Sequence, residues 1–96
     1  MAGKMSEAEI KSALGGLDGW GQEGEAAITK KFTFADHITA MGFCVRVAMA
    51  AEVMDHHPAM RIVYNMVDFR LNTHSAGGVT EKDFALAKRI NELAGA

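Results

Sequence analysis

The sequence predicts an α+β fold: a four-stranded, mainly antiparallel sheet with helices packed on one face, in the order α-β-β-α-β-β-α. Three observations carry this expectation. Residues 25–34 and 67–73 alternate apolar and polar side chains with a period of two, the mark of half-buried antiparallel strands. Residues 36–54, between them, repeat apolar side chains at helical spacing. Gly15-Gly16, Gly24, Pro58 and Gly77-Gly78 punctuate these segments without any linker or repeat.

The first element reads as a short helix. Ser6 followed by Glu9 matches a capping box, Ile10, Ala13, Leu14 and Leu17 recur at helical spacing, and Gly15-Gly16 stops the run. Residues 20–23 and 25–34 read as two strands joined at Gly24. In the second, Ala26, Ile28, Phe32 and Phe34 share the core-facing parity. Lys30 breaks that parity, which a long stem tolerates at a sheet edge.

Asp36 is the expected N-cap of the long helix. Ile38, Met41, Val45, Ala48 and Glu52 form one stripe; Phe43, Val47, Ala50 and Met54 form a second. The only charges in the segment are Asp36, Arg46 and Glu52, so two sides need covering. The sheet covers one; a second copy of the chain is the simplest cover for the other. Pro58 ends the segment. Residues 60–64 and 67–73 then form a hairpin turning near Asn65-Met66, with Val67, Phe69, Leu71 and Thr73 facing the core. Thr80 with Asp83 opens a last helix whose apolar face is Phe84, Ala87, Ile90 and Leu93-Ala94.

Composition bounds the function. The 96 residues hold one domain, 1–96, and 49% hydrophobic with 23% charged residues is a globular mix. A net charge of −2 offers no positive field to nucleic acid or anionic lipid. No apolar run approaches the roughly 20 residues that span a bilayer, so no membrane partner is expected. The start, Met1 to Glu7, is polar and then acidic, unlike a signal peptide. One cysteine, Cys44, forms no internal disulfide and reads as a small buried hydrophobe. A cytoplasmic setting fits these features best. Seven Met and five Phe are a large apolar load for so small a domain, which points to a dense core or a subunit interface.

The chemistry concentrates in Glu52-Val-Met-Asp55-His56-His57-Pro58 and in Thr73-His74. If the third and fourth strands pair, these segments meet at one end of the sheet, in a histidine-rich cleft. Imidazoles titrate near neutral pH, so two of them can take one proton and supply another, with nearby acids fixing their tautomers. Other readings fit the same residues. His56-His57 can cap the helix C-terminus. Three His with a carboxylate are acceptable zinc ligands, although adjacent His-His lacks the i, i+4 spacing of two ligands on one helix. His37 reads as structural, Gly77-Gly78 lacks a phosphate-loop pattern, and Trp20 reads as core or as a flat stacking surface.

Asp55-His56-His57-Pro58, Val63-Tyr64-Asn65, Val67, Leu71 and Thr73-His74 resemble the signature of the pterin-4a-carbinolamine dehydratase family, whose vertebrate member is also a dimerisation cofactor of a homeodomain transcription factor. The resemblance runs from Leu17-Asp-Gly-Trp20 through Phe32, Phe34, Gly42-Phe43, Arg46-Val47-Ala48 and Glu52 to the segment 81–87. It implies dehydration of 4a-hydroxytetrahydropterin to quinonoid dihydropterin and water in tetrahydropterin recycling, with no metal or organic cofactor. It implies His56, His57 and His74 as the active-site set, with His56 and His74 as acid and base and His57 holding the substrate. It places Glu52, Asp55, Trp20, Thr73 and Asp83 around the pterin, Asp55 and Asp83 as orienting groups. Lys82 stands where vertebrate members carry Arg, so a bidentate contact there is lost. The resemblance further implies a homodimer, or a homotetramer of dimers, and no direct contact with nucleic acid. It also leaves open a binding module, either a transcriptional coactivator or an assembly factor for Rubisco, that works through its helix surface.

Overall fold

The computed structural model describes residues 3–95. Its elements are α1 (Glu7–Leu14), β1 (Gly21–Glu23), β2 (Ala27–Thr33), α2 (His37–Met54), β3 (Ala59–Val63), β4 (Met66–Leu71), a 3₁₀ turn (His74–Ala76) and α3 (Glu81–Gly95). The expected order is therefore observed, and the four strands are antiparallel throughout, in the spatial order β1-β2-β4-β3. Met1, Ala2 and Ala96 lie outside the described residues.

Local chemistry sets the helix starts. Ser6 accepts the N–H of Glu9 while Glu9 accepts the N–H of Ser6, completing the capping box of α1. Asp36 accepts the N–H of Thr39 at 2.8 Å and caps α2.

The sheet turns Ile28 and Phe32 of β2, and Val67, Phe69 and Leu71 of β4, toward the helices. Phe43 of α2 meets them: its ring lies 5.8 Å from Phe69 at 88°, and 5.2 Å from Phe32. Each such aromatic pair contributes about 0.5–1.5 kcal/mol beyond its buried area. Leu86, Ala87 and Ile90 of α3 and Ile10 of α1 complete the core. The opposite face of the sheet carries charge. Lys31, Asp68 and Arg61 stand in one cross-strand row, and Arg70 reaches Glu23 at 3.1 Å.

Four expectations are corrected. Ala26 lies exposed in the β1–β2 turn, and Ala27 is the buried residue, because the turn occupies three positions. Lys30 is not at an edge, because β2 is interior. Leu86, absent from the expected face of the last helix, is fully buried. Finally, the 18 residues of α2 do reach the length and mean hydropathy, 1.3, of a short membrane span. Ala40, Phe43, Cys44, Val47 and Ala51 of that helix are buried in the core, which accounts for part of its apolar character. Its large apolar residues Ile38, Met41, Val45, Met49 and Val53 are exposed, Ile38 by 82% and Val53 by 88%.

Candidate active site

Register brings the candidate residues together. Ala59, the first residue of β3, pairs with Arg70 near the end of β4. The segment entering β3 and the segment leaving β4 therefore share one end of the sheet. Asp55 ends α2 in the left-handed region (φ 51°, ψ 42°), which Asp tolerates better than most residues. The N–H of His56 then bonds back to Ala51 O at 3.1 Å, folding the chain against the helix end. Beyond β4, Thr73 bridges to Gly78 and encloses the 3₁₀ turn that begins at His74. Gly78 is required there, because a Cβ would stand 2.8 Å from Glu25 O.

His56 is the best-anchored histidine. Its Nε2 lies 2.6 Å from Asp83 Oδ1, with Asp83 fully buried and the His56 side chain 12% exposed. Asp83 Oδ2 accepts the Thr73 hydroxyl and the Thr80 N–H, each at 2.9 Å. Among the described residues, no buried side-chain nitrogen or oxygen lacks a partner. Nδ1 of His56 makes no hydrogen bond among the described residues, so it touches solvent and is open to a ligand. His57 Nε2 lies 2.7 Å from Glu52 Oε1, and both side chains are largely exposed. His74 is exposed, one residue beyond Thr73, and its ring takes no hydrogen bond among the described residues.

The remaining expected site residues have other engagements. Asp55 terminates α2. Thr73 and Asp83 are buried, with their polar atoms spent on each other, on Thr80 and on His56. Trp20 is buried in the core, and its Nε1 donates to Asn91 Oδ1 at 2.9 Å. Asn91 lies eight residues, about 12 Å of helix, beyond Asp83. Thr80 was legible only as a helix start, by its spacing to Asp83, and Asn91 carried no sequence signal.

Among the described residues, two hollows away from the histidines have no histidine in their lining. One, about 640 Å³, lies between α2 and α3 along Met49, Val53, Lys88 and Leu93. The other, about 720 Å³, lies on the charged face of the sheet beside Gly21, Lys31 and Arg70. His56, His57 and His74 lie at one end of the sheet, on the segments that enter β3 and leave β4. Among the described residues, no three His, Cys, Asp or Glu side chains converge as a metal-holding group.

A buried carboxylate fixing one imidazole, beside two further imidazoles at the surface, is the equipment of a proton-transfer site. Comparison with known proteins gives the family of the chain. The family model described as pterin 4 alpha carbinolamine dehydratase matches residues 3–93. Proteins named "Putative pterin-4-alpha-carbinolamine dehydratase" from Brucella ovis and Brucella abortus are each 46% identical over 93 residues, covering 96% of this chain and 96% of their own length. A crystal structure from Brucella melitensis, described as a transcriptional coactivator/pterin dehydratase, superposes with a TM-score of 0.90 at 46% identity, over 96% of this chain and 99% of that one. A pterin dehydratase-like protein described as a RuBisCO assembly factor in the alpha-carboxysome superposes with a TM-score of 0.69 at 25% identity, over 81% of this chain and 92% of its own. The chain belongs to the pterin-4-alpha-carbinolamine dehydratase family.

Proposed function

We propose that this protein dehydrates 4a-hydroxytetrahydropterin to quinonoid dihydropterin and water, using His56 and His74 as general acid and base. The observation that carries the reading is the 2.6 Å contact between His56 Nε2 and the buried Asp83, which leaves Nδ1 facing outward. One imidazole takes the proton from the pterin ring nitrogen. The other delivers a proton to the 4a-hydroxyl, the C–O bond breaks, and water leaves. Transfers of this kind contribute about 10²–10⁴-fold each. His57, paired with Glu52, holds the substrate at the rim. The reading needs no metal or organic cofactor, so dialysis against a strong chelator leaves the rate unchanged.

Stopped-flow measurement with freshly made 4a-hydroxytetrahydropterin tests the reading. His56→Ala and His74→Ala each lower turnover by about 10²-fold or more while the fold survives. Turnover equal to the parent protein in both variants would remove the assignment.

A binding role has its own support in the exposed stripe of α2, Ile38 to Val53, and in relatives described as a coactivator and as an assembly factor. We read that stripe first as a contact between copies of this chain, giving at least a homodimer. A helix of a protein partner is the alternative occupant. Partner binding that persists in His56→Ala separates this role from catalysis.

A further inference from the structure

We infer that Thr73 and Thr80 are positioning residues that orient Asp83, so that its free oxygen meets the His56 ring as an acceptor and selects the ring's tautomer. The consequence for rate rests on the dehydratase reading; the geometry does not. A hydroxyl has one hydrogen to give. Thr73 gives its own to Asp83 Oδ2 at 2.9 Å. At the 2.6 Å contact between the two threonine oxygens, Thr80 is therefore the donor and Thr73 the acceptor. Thr80 Oγ1 in turn receives the N–H of Lys82 at 3.2 Å, in the first turn of α3.

Two donors thus converge on Asp83 Oδ2: the Thr73 hydroxyl and the Thr80 main-chain N–H. Neither reverses readily. An amide N–H only donates, and the Thr73 oxygen already accepts from Thr80. Thr73, Thr80 and Asp83 are all buried, so water does not compete for these bonds. With Oδ2 pinned, Oδ1 is aimed at His56 Nε2 as an acceptor. A neutral imidazole carries its hydrogen on one nitrogen only. Nε2 holds it, and Nδ1 presents a lone pair to solvent. The sequence spacing Thr80-x-x-Asp83, which starts α3, thereby also orients an imidazole 27 residues earlier in the chain.

Asp83→Asn is the most informative variant, because it is nearly isosteric. The two donors on the Oδ2 side hold the amide oxygen there and turn the amide nitrogen toward His56. Nε2 must then accept, and the ring hydrogen moves to Nδ1. Histidine ¹⁵N NMR should record that switch, and kcat should fall on the order of 10⁴-fold, as when a reacting imidazole is held in the wrong tautomer. Thr73→Val alone leaves the carboxylate an acceptor but less firmly aimed, so kcat should fall by roughly 10–100-fold with KM little moved; added to Asp83→Asn it removes one of the two donors that orient the amide, and the tautomers should mix. Thr73→Ser should restore both readouts, which a purely structural role for the hydroxyl would not require. If Asp83→Asn keeps its hydrogen on Nε2, the amide has turned its oxygen to the ring, and the threonines do not set the polarity. A single tautomer that stays on Nδ1 when Thr73→Val is added to Asp83→Asn overturns the inference equally. A parent protein that shows the Nε2–H tautomer and the Asp83→Asn switch, yet fails to dehydrate the pterin, supports the relay and sinks the dehydratase reading instead.

Discussion

Lys30 Nζ lies 2.9 Å from Asn91 Oδ1, placing a cation on the helix-facing side of an interior strand. The same ammonium donates to Asp18 O at 2.9 Å and stands over the Phe32 ring. Asn91 Oδ1 also accepts from Trp20 Nε1, and Asn91 Nδ2 donates to Asp18 O. One amide therefore ties the α1–β1 connection, β2 and α3 together. Asn91→Leu strips the buried Trp20 N–H of its acceptor, a loss of about 1–3 kcal/mol. Urea unfolding followed by tryptophan fluorescence measures it; an unchanged midpoint would show that water replaces the amide.

His57 is held differently from His56, by an exposed carboxylate at the rim. Replacing it with Ala should chiefly raise KM, since a holding group serves ground and transition states alike. Steady-state kinetics separates the cases: lower kcat at constant KM would exchange its role with that of His56 or His74.

Assembly is tested on α2. Val45 and Val53 are exposed, so Val45→Glu or Val53→Glu leaves the monomer folded and divides a contact between copies by burying an unpaired charge. Phe43 and Val47 are fully buried, so Phe43→Glu or Val47→Glu unfolds the domain and says nothing about assembly. Light scattering of the native protein at micromolar concentration decides the matter; a well-folded monomer sinks the self-contact.

Acid should loosen the helix starts. Thr39 hydrogen bonds hold the Asp36 carboxyl below its usual range, the Ser6 backbone and hydroxyl do the same for Glu9, and the Lys4 ammonium does so for Glu25. Each pKa is lower folded than unfolded. The stabilisation is therefore complete above the unfolded value, near pH 4, and is lost as pH falls through the folded one. Tm should stay level through pH 6 to 5 and drop below about pH 4. Asp36→Asn, which still caps, should show a shallower acid limb. An identical limb would remove Asp36 from the titration.

Much of this architecture was legible because it is local. Ser6 with Glu9, Asp36, and Thr80 with Asp83 announce helix starts within four residues. Val67, Phe69, Leu71 and Thr73 announce a core-facing strand by parity alone. Lys30 was misplaced because strand order is not written in local periodicity; its partners lie 12 and 61 residues away. The outward stripe of α2 could not be chosen, since both stripes are apolar and only packing against Phe69 and Phe32 tells them apart. At the site, the histidines stood out by type and adjacency. The inward turn of Thr73, Asp83 and Trp20 did not, because a buried and a ligand-facing polar residue look alike in sequence.

The strand order also has a consequence for how the chain finds its shape. β3 and β4 adjoin in sequence across a two-residue turn, Tyr64-Asn65, whereas Thr33 of β2 reaches Met66 of β4 only after the whole of α2. Closing a longer loop costs more chain entropy, so the hairpin should form first and β2 should join later. Pulsed hydrogen exchange would then protect Ala59–Val63 and Met66–Leu71 before Ala27–Thr33; simultaneous protection would contradict that order. His56, Thr73 and Asp83 flank the early hairpin, so the histidine cluster gathers around the part of the sheet that is quickest to nucleate, while the interior cation at Lys30 waits for the last strand to dock.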